Sequence, residues 1–162
     1  MTSYNIQFEE LKNIIQEYNP CCLCLQETRQ CNRQLNPPSG YKIVQPPLNT
    51  SNLPNNDDAP QKRGVALLIR KNINYRNITL SIPNNIEAIA AQIYAGKYYT
   101  VCSMYLSPST SIEKRDVLNV LEQLPKPYLV LGDMNARHTS WGEDICNAKG
   151  DMFEQLLIEE NL

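Results

Sequence analysis

The feature that most constrains this fold is a short apolar run that ends in glycine and an acidic residue, Tyr128-Leu129-Val130-Leu131-Gly132-Asp133-Met134-Asn135. Four apolar residues in succession, shortly after two prolines, predict a strand that is buried on both faces. Gly132 is expected to end this strand, because glycine accepts the backbone angles of a sharp exit. Asp133 and Asn135 follow two residues apart, so both side chains can point to the same side of an extended backbone.

A carboxylate and a carboxamide at the end of a buried strand can act together in catalysis. The Asp133 carboxylate can orient a water molecule or bind a hard cation, and the Asn135 amide can donate to a phosphate or an oxyanion. Asx side chains in loops also commonly hydrogen-bond to their own backbone and do nothing else. This stretch alone leaves both interpretations open.

Two further predicted strands end in residues of a similar chemical kind. The apolar run from Cys21 to Leu25 leads directly to Glu27, and the strand predicted over 98–105 ends in Tyr105. One such residue is often a helix cap or a core side chain with a satisfied hydroxyl. In layered α/β folds functional groups gather at strand ends, so the repetition favours a shared site.

The other elements are predicted from apolar periodicity and from turn chemistry. Ala95-Gly96-Lys97 indicates a hairpin turn, and the polar tract over 49–61 indicates an exposed, mobile loop. The last helix is expected to bury Phe153, Leu156, Leu157 and Ile158. The predicted helices cover 7–18, 111–123 (with Ser111 as the cap) and 150–160, and the remaining predicted strands cover 41–44, 64–70 and 86–94.

Composition narrows the class of protein. With 162 residues, 42% of them hydrophobic, the chain suits one domain, 1–162, and a net charge of −2 gives no global basic field for nucleic acid. No apolar run approaches the ~20 residues of a membrane span and no signal peptide is evident, so we expect an intracellular protein, nuclear or cytoplasmic, that is not secreted. One histidine and no second CxxC pair argue against a zinc site, and the cysteines at 21, 22 and 24 are expected to act as small hydrophobes.

In their order along the chain, these motifs resemble the endonuclease/exonuclease/phosphatase family. The chain is most similar to the endonuclease domain of non-LTR retrotransposons, whose sequences favour a histidine and then Trp-Gly, here His138 and Trp141-Gly142. The stretches that carry the resemblance are Leu25-Gln26-Glu27-Thr28, Arg63-Gly64-Val65-Ala66, Tyr105-Leu106-Ser107-Pro108 and Leu131-Gly132-Asp133-Met134-Asn135-Ala136.

The resemblance implies a fold and a chemistry. The fold is α/β (α+β), a two-sheet α/β sandwich of the DNase I-like type, here incomplete. Glu27 would be the metal ligand, Asp133 the acid/base residue, Asn135 a phosphate-orienting group and Tyr105 a phosphate contact. The implied cofactor is Mg²⁺, with Mn²⁺ as a substitute. The implied substrate is a DNA phosphodiester, and the full-length parent would also hold a reverse-transcriptase domain.

The sequence departs from the family at both ends. The first strand, with its supporting asparagine, and the C-terminal Ser-Asp-His segment have no counterpart, and Asn5 is a poor substitute for that asparagine. His138 belongs to a different motif and is expected to be a loop residue near Trp141 rather than a catalytic one. Alternative interpretations are a noncatalytic remnant, or another family member such as an abasic-site endonuclease or a phosphoinositide phosphatase.

We predict that the chain alone nicks supercoiled plasmid weakly or not at all in the presence of Mg²⁺. Each positioned acid or base contributes roughly 10²–10⁴-fold to rate, and groups that act as a unit fail together. The measurement compares the chain with a version extended at both ends. Robust nicking by the unextended chain that Asp133→Ala abolishes would contradict the prediction.

Overall fold

The computed structural model describes residues 3–28, 35–46 and 64–161, with the backbone alone for 3–7. The loop predicted over 49–61 lies outside this part of the chain, as do Arg63 and Cys31. The helices are α1 (Ser3–Tyr18), α2 (Lys114–Leu121) and α3 (Ala148–Glu160), with a 3₁₀ turn at Thr139–Trp141. The strands are β1 (Cys22–Leu25), β2 (Tyr41–Val44), β3 (Ala66–Arg70), β4 (Tyr75–Ile78), β5 (Ile86–Ala95), β6 (Lys97–Leu106) and β7 (Tyr128–Asp133).

These strands form two sheets that pack face to face. The smaller sheet has the order β1-β3-β2 with antiparallel pairing, and the larger has the order β4-β5-β6-β7. In the larger sheet only β6 and β7 run parallel, and α2 supplies the crossover that a parallel pair requires. The predicted two-sheet α/β architecture is therefore confirmed.

The core between the sheets is built from branched aliphatic residues that alternate along the strands. Leu67 and Ile69 of β3 are fully buried and pack against Ile89 and Ile93 of β5. The ring of Tyr105 on β6 belongs to the same cluster and is 1% exposed. A side chain so enclosed has few accessible rotamers, so the position of its hydroxyl is set by packing.

A second core lies on the outer face of the larger sheet. Met104 and Leu106 of β6 pack there against Val117 and Val120 of α2 and against Leu156 of α3. Because side chains alternate between the two faces of a strand, β6 supplies residues to both cores. On the opposite side of the molecule, α1 shares a depression with residues of the smaller sheet, so the layers run helix, sheet, sheet, helix.

Strand β7 is not buried on both faces as the sequence predicted. It is an edge strand of the described sheet, and Leu129 and Leu131 are 55% and 50% exposed. Tyr128 and Val130 pack on the helical core, whereas the two leucines on the opposite face stay about half exposed. An apolar run shows that the side chains are apolar, but it does not predict how far the facing sheet extends and so whether both faces of the strand are buried.

Gly132 also has a different role from the one predicted. It lies inside β7 and does not end it, since the strand continues to Asp133. A Cβ atom at Gly132 would lie 1.8 Å from the Met104 carbonyl oxygen of β6. Glycine is required here because the two backbones approach too closely for any side chain.

The starts of all three helices were predicted wrongly. Helix α2 begins after Glu113, where the Asp116 carboxylate accepts the Glu113 N–H at 3.3 Å, so Ser111 is not the cap. Helix α3 begins two residues before the predicted start, and helix α1 four residues before its predicted start. In α3, Leu156 is buried but Leu157 and Ile158 are exposed, because the described part of the chain covers only one face of the helix.

Strand β4 was not predicted, because Tyr75-Arg76-Asn77-Ile78 alternates weakly and lies at a sheet edge. Of the cysteines expected to be small hydrophobes, Cys22 and Cys24 are half-buried in β1 but Cys21 is exposed. No helix among the described residues is both long enough and apolar enough to cross a membrane.

We predict that Gly132→Ala destabilises the protein by about 3 kcal/mol or more, because the new methyl group must push β7 away from β6. The matched control is Gly96→Ala in the hairpin turn, where φ is +80° and nothing lies within 4 Å of the added Cβ. That change should cost only the left-handed backbone strain, about 1–2 kcal/mol. Urea unfolding measures both free energies, and equal losses would refute the close approach of β6 and β7.

Candidate functional site

The first predicted site residue, Glu27, lies just beyond the end of β1. Its backbone has a left-handed φ of +50°, which costs a residue with a Cβ about 1–2 kcal/mol. This conformation turns the chain sharply and leaves the side chain exposed. The Tyr105 hydroxyl donates a hydrogen bond of 2.9 Å to Glu27 Oε1, so the carboxylate is tied to the buried ring of β6.

Further hydrogen bonds bind the end of β1 to the larger sheet. The Gln26 side-chain amide donates to Ser103 Oγ at 2.9 Å, and that hydroxyl donates to the Leu25 carbonyl at 3.2 Å. Ser103 is fully buried on β6, two residues before Tyr105. These bonds join the Gln26 amide and the Leu25 carbonyl to the Ser103 hydroxyl across the sandwich, and they hold the segment that carries Glu27 in a fixed position.

Asp133 ends β7 and lies directly beside Tyr105. The parallel register pairs Tyr105 with Asp133 and Ser103 with Leu131, and paired residues point to the same face of a sheet. That face is the one that looks toward the smaller sheet and Glu27. The structure therefore places Glu27, Tyr105 and Asp133 at one end of the sandwich, with the tyrosine between the two acidic residues.

Asn135 turns the chain immediately after β7. Its φ is +47°, a conformation that asparagine tolerates better than most residues. Asp133 Oδ1 accepts the Asn135 N–H at 2.9 Å, and the Asn135 side-chain amide donates to the Leu106 carbonyl at 3.0 Å. The local Asx interaction considered for this stretch is therefore present, and it positions both side chains beside the end of β6.

Asn147, which the sequence did not single out, organises the backbone around this turn. Its side-chain oxygen accepts the N–H groups of Gly150 and Arg137 at 2.8 and 3.1 Å, and its amide donates to the Asn135 carbonyl at 3.0 Å. It is also the N-cap of α3. A Cβ atom at Gly150 would lie 1.9 Å from the Arg137 carbonyl oxygen, so this helix start also requires glycine.

Lys149 is a second residue that sequence reasoning missed. It is 9% exposed in the first turn of α3, and its ammonium group donates to the Ser107 carbonyl just beyond β6. Burial lowers the pKa of Lys149, and the negative charge of Asp133 acts in the opposite direction. A cation close to Asp133 would have been hard to find from the sequence, because a lysine in a polar helix start is normally solvated.

The two acidic residues open onto different depressions of the surface. Asp133, Asn135, Arg137 and Trp141 line a groove of about 480 Å³ between β7 and α3. Glu27 lines a separate depression of about 260 Å³ beside α1. Within the described residues these two depressions share no lining residue, so the shared site predicted for the strand ends is divided between two openings.

His138 packs beside Trp141, as the sequence predicted. The two ring centroids lie 5.2 Å apart, and His138 Nδ1 accepts the Ser140 N–H at the start of the 3₁₀ turn. The Trp141 indole N–H donates to the Ala136 carbonyl at 3.3 Å. These contacts fold the loop after Asn135 back onto one wall of the groove.

Part of the chain matches a family model. The model of a family described as endonuclease-reverse transcriptase, of the endonuclease/exonuclease/phosphatase type, matches residues 99–162. The matched segment contains Tyr105, Asp133 and Asn135, whereas Glu27 lies before it. The resemblance of the chain to this family is therefore confirmed.

Two individual proteins extend the comparison. A probable RNA-directed DNA polymerase from transposon BS of Drosophila melanogaster is 29% identical over 109 residues, which are 67% of this chain and 11% of that protein. The chain thus spans about a tenth of the length of this curated relative. The human Nocturnin catalytic domain, solved with a bound sulfate anion, superposes with a TM-score of 0.57 and 25% identity over 83% of this chain and 58% of that one. Nocturnin has the DNase I-like fold, so the predicted fold class is confirmed.

We predict that Asn147→Ala destabilises the protein by about 2 kcal/mol, at the upper end of the range for losing an N-cap, because two further backbone groups lose their partner. Asn147→Asp is the matched variant. It keeps the two accepted hydrogen bonds and loses only the donor to the Asn135 carbonyl, which should cost about 1 kcal/mol. Urea unfolding gives both values, and two variants as stable as the wild type would show that Asn147 does not organise the turn.

Proposed function

We propose that the chain carries phosphodiester-cleaving residues of a Mg²⁺-dependent DNA endonuclease of the retrotransposon type. The observation that carries the proposal is the row formed by Glu27, Tyr105 and Asp133 at one end of the sandwich. A carboxylate that can hold a cation and a carboxylate that can accept a proton are placed on either side of one buried tyrosine.

The residues present fit Mg²⁺ or Mn²⁺. Glu27 and Asp133 are both exposed, and Mg²⁺ commonly keeps several water ligands while it binds one or two carboxylates. When bound, such an ion would neutralise charge on a phosphate group and polarise its oxygens. We assign Glu27 as the metal ligand, because Tyr105 already restricts its side chain and less rotamer entropy is then lost on binding.

The remaining roles follow from the chemistry of each side chain. Asp133 is exposed at the end of β7 and is suited to orient the attacking water and accept its proton. The Asn135 side-chain amide has two hydrogens and donates one of them to the Leu106 carbonyl. The other hydrogen can be donated to a phosphate oxygen. Tyr105 has a single hydroxyl hydrogen, and it donates this hydrogen to Glu27. We therefore assign Tyr105 as a residue that positions Glu27. It would act as a phosphate contact when the hydroxyl turns from Glu27 to a phosphate oxygen.

The relatives support DNA as the substrate. The matching family is described by endonuclease and reverse transcriptase together, and the Drosophila relative is a probable RNA-directed DNA polymerase of a transposon. We therefore propose a reverse-transcriptase domain as the partner in the full-length parent and a nuclear or cytoplasmic site of action. Cutting of abasic DNA, phosphoinositide hydrolysis and a noncatalytic remnant are the other functions that experiment must separate.

We predict that Glu27→Gln weakens Mn²⁺ binding at least roughly tenfold, since removal of a charged ligand should cost no less than removal of a supporting residue around a metal. The matched control is Glu122→Gln, an exposed glutamate at the end of α2 whose carboxylate pairs with Arg115 at 3.3 Å. Water-proton relaxation during Mn²⁺ titration reports the affinity directly. If Glu27→Gln binds Mn²⁺ as the wild type does, the ligand assignment is wrong whatever the activity.

We further predict that Asp133→Ala lowers the Mg²⁺-dependent cleavage rate by roughly 10²–10⁴-fold, the usual contribution of a positioned acid or base. The assay uses supercoiled plasmid, an abasic duplex and phosphoinositide vesicles, with the chain alone and with flanking coding sequence at both ends. Preference for intact plasmid supports the proposal, and preference for either other substrate selects that alternative. Metal binding without cleavage by any form would identify a noncatalytic remnant.

A further inference from the structure

A second cluster of metal-ligating side chains lies apart from Glu27 and Asp133. A ring nitrogen of His138, the Cys146 thiol and a carboxylate oxygen of Asp151 lie within 4.8 Å of one another. His138 precedes the 3₁₀ turn, Cys146 lies in the segment after it, and Asp151 belongs to the first turns of α3. Three pieces of chain that are separate in sequence therefore converge on one point.

The orientation of the histidine is determined by its neighbours. Its Nδ1 atom lies 2.9 Å from Ser140 Oγ and accepts the Ser140 N–H, so Nε2 faces away from the turn. Nε2 lies 3.7 Å from Asp151 Oδ1 and 3.4 Å from Glu154 Oε2. The side chain of His138 is only 12% exposed, so it has little freedom to turn elsewhere.

We propose that His138, Cys146 and Asp151 bind a Zn²⁺-type transition-metal ion, with Glu154 or a water molecule as the fourth ligand. One imidazole, one thiolate and one carboxylate make a donor set suited to Zn²⁺ and poorly suited to Mg²⁺, which prefers oxygen alone. Zinc–ligand distances are about 2.0–2.3 Å, so the three atoms would move inward by less than about an ångström each.

The surrounding residues supply the support that such a site needs. A ligating histidine usually donates its other ring N–H to an oxygen. With Nε2 on the ion, Nδ1–H would donate to Ser140 Oγ, and this bond would replace the one that Nδ1 now accepts from the Ser140 N–H. The same hydroxyl donates to Glu154 Oε1. Asp151 and Glu154 are three residues apart on α3, so both carboxylates lie on one face of the helix.

The proposal departs from the sequence-based expectation, which argued against a zinc site, because these ligands follow none of the short spacings of zinc motifs. Its effect would be mechanical, since an ion at this position ties the loop bearing Trp141 to α3 and so fixes one wall of the groove that holds Asp133. The proposal does not depend on the proposed nuclease activity, and its test needs no substrate.

The test is titration of the purified, reduced protein with Co²⁺, followed by competition with Zn²⁺. A tetrahedral site with one cysteine should give strong visible d–d absorption and a thiolate-to-cobalt charge-transfer band, and Zn²⁺ should abolish both at one equivalent. Thermal unfolding of the same samples should show a higher Tm with Zn²⁺ than with Mg²⁺ at equal concentration.

The matched variants are Cys146→Ser and Cys21→Ser, since both thiols are exposed. Cys146→Ser should abolish the charge-transfer band and weaken Zn²⁺ binding at least about tenfold, whereas Cys21→Ser should leave both unchanged. Asp151→Asn, which keeps the thiol, should weaken binding while retaining the band, and it serves as the second variant if Cys146→Ser does not fold. Absence of the band in the wild type, or its loss in Cys21→Ser but not in Cys146→Ser, would overturn the proposal.

Discussion

Burial of β6 on both faces is the constraint on which the rest of the structure depends. One set of its side chains, including Met104 and Leu106, closes the core under α2 and α3, and the alternate set closes the core between the sheets. Ser103 and Tyr105 belong to the second set and are buried polar groups, so each must find a hydrogen-bond partner. The partners that they find are on β1 and Glu27, which ties the site to the packing of the core.

The site residues themselves lie where strands end and the backbone is unusual. Glu27 and Asn135 both have left-handed φ values, and each follows a strand on its own side of Tyr105. Such conformations cost free energy and persist where the surrounding structure holds them. Here the hydrogen bonds from Tyr105 to Glu27 and from Asn147 to the Asn135 carbonyl do this, so the two turns depend on different neighbours.

Much of the fold could be predicted from local pattern alone. The hairpin of β5 and β6 and the existence of all three helices follow from periodicity and from the glycine at position 96. The exposure of Leu129 and Leu131 could not be predicted, because it depends on which element packs opposite. The same limit applies to Gly132 and Gly150, whose close backbone contacts involve strands and loops distant in sequence.

Prediction of the site divides in a similar way. Glu27, Tyr105 and Asp133 were predicted as site residues because each lies at or just beyond the end of a strand, and the structure places them at one end of the sandwich. Asn147 and Lys149 were not predicted as site residues, because their role depends on hydrogen bonds to backbone carbonyls that are distant in sequence. The convergence of His138 with Cys146 likewise requires the loop and α3 to be folded together.

The different connections on the two sides of β6 have a consequence for the order of folding. Gly96 alone separates β5 from β6, so that hairpin can close within microseconds. β6 can pair with β7 only after the chain from 107 to 127, including α2, has been ordered. The entropy cost of closing this long loop comes before the stabilising contacts form, so the pairing is slow. The strand that carries Asp133 is therefore expected to join the sheet late and to leave it early in local unfolding, so the position of Asp133 depends on the least local pairing of the larger sheet.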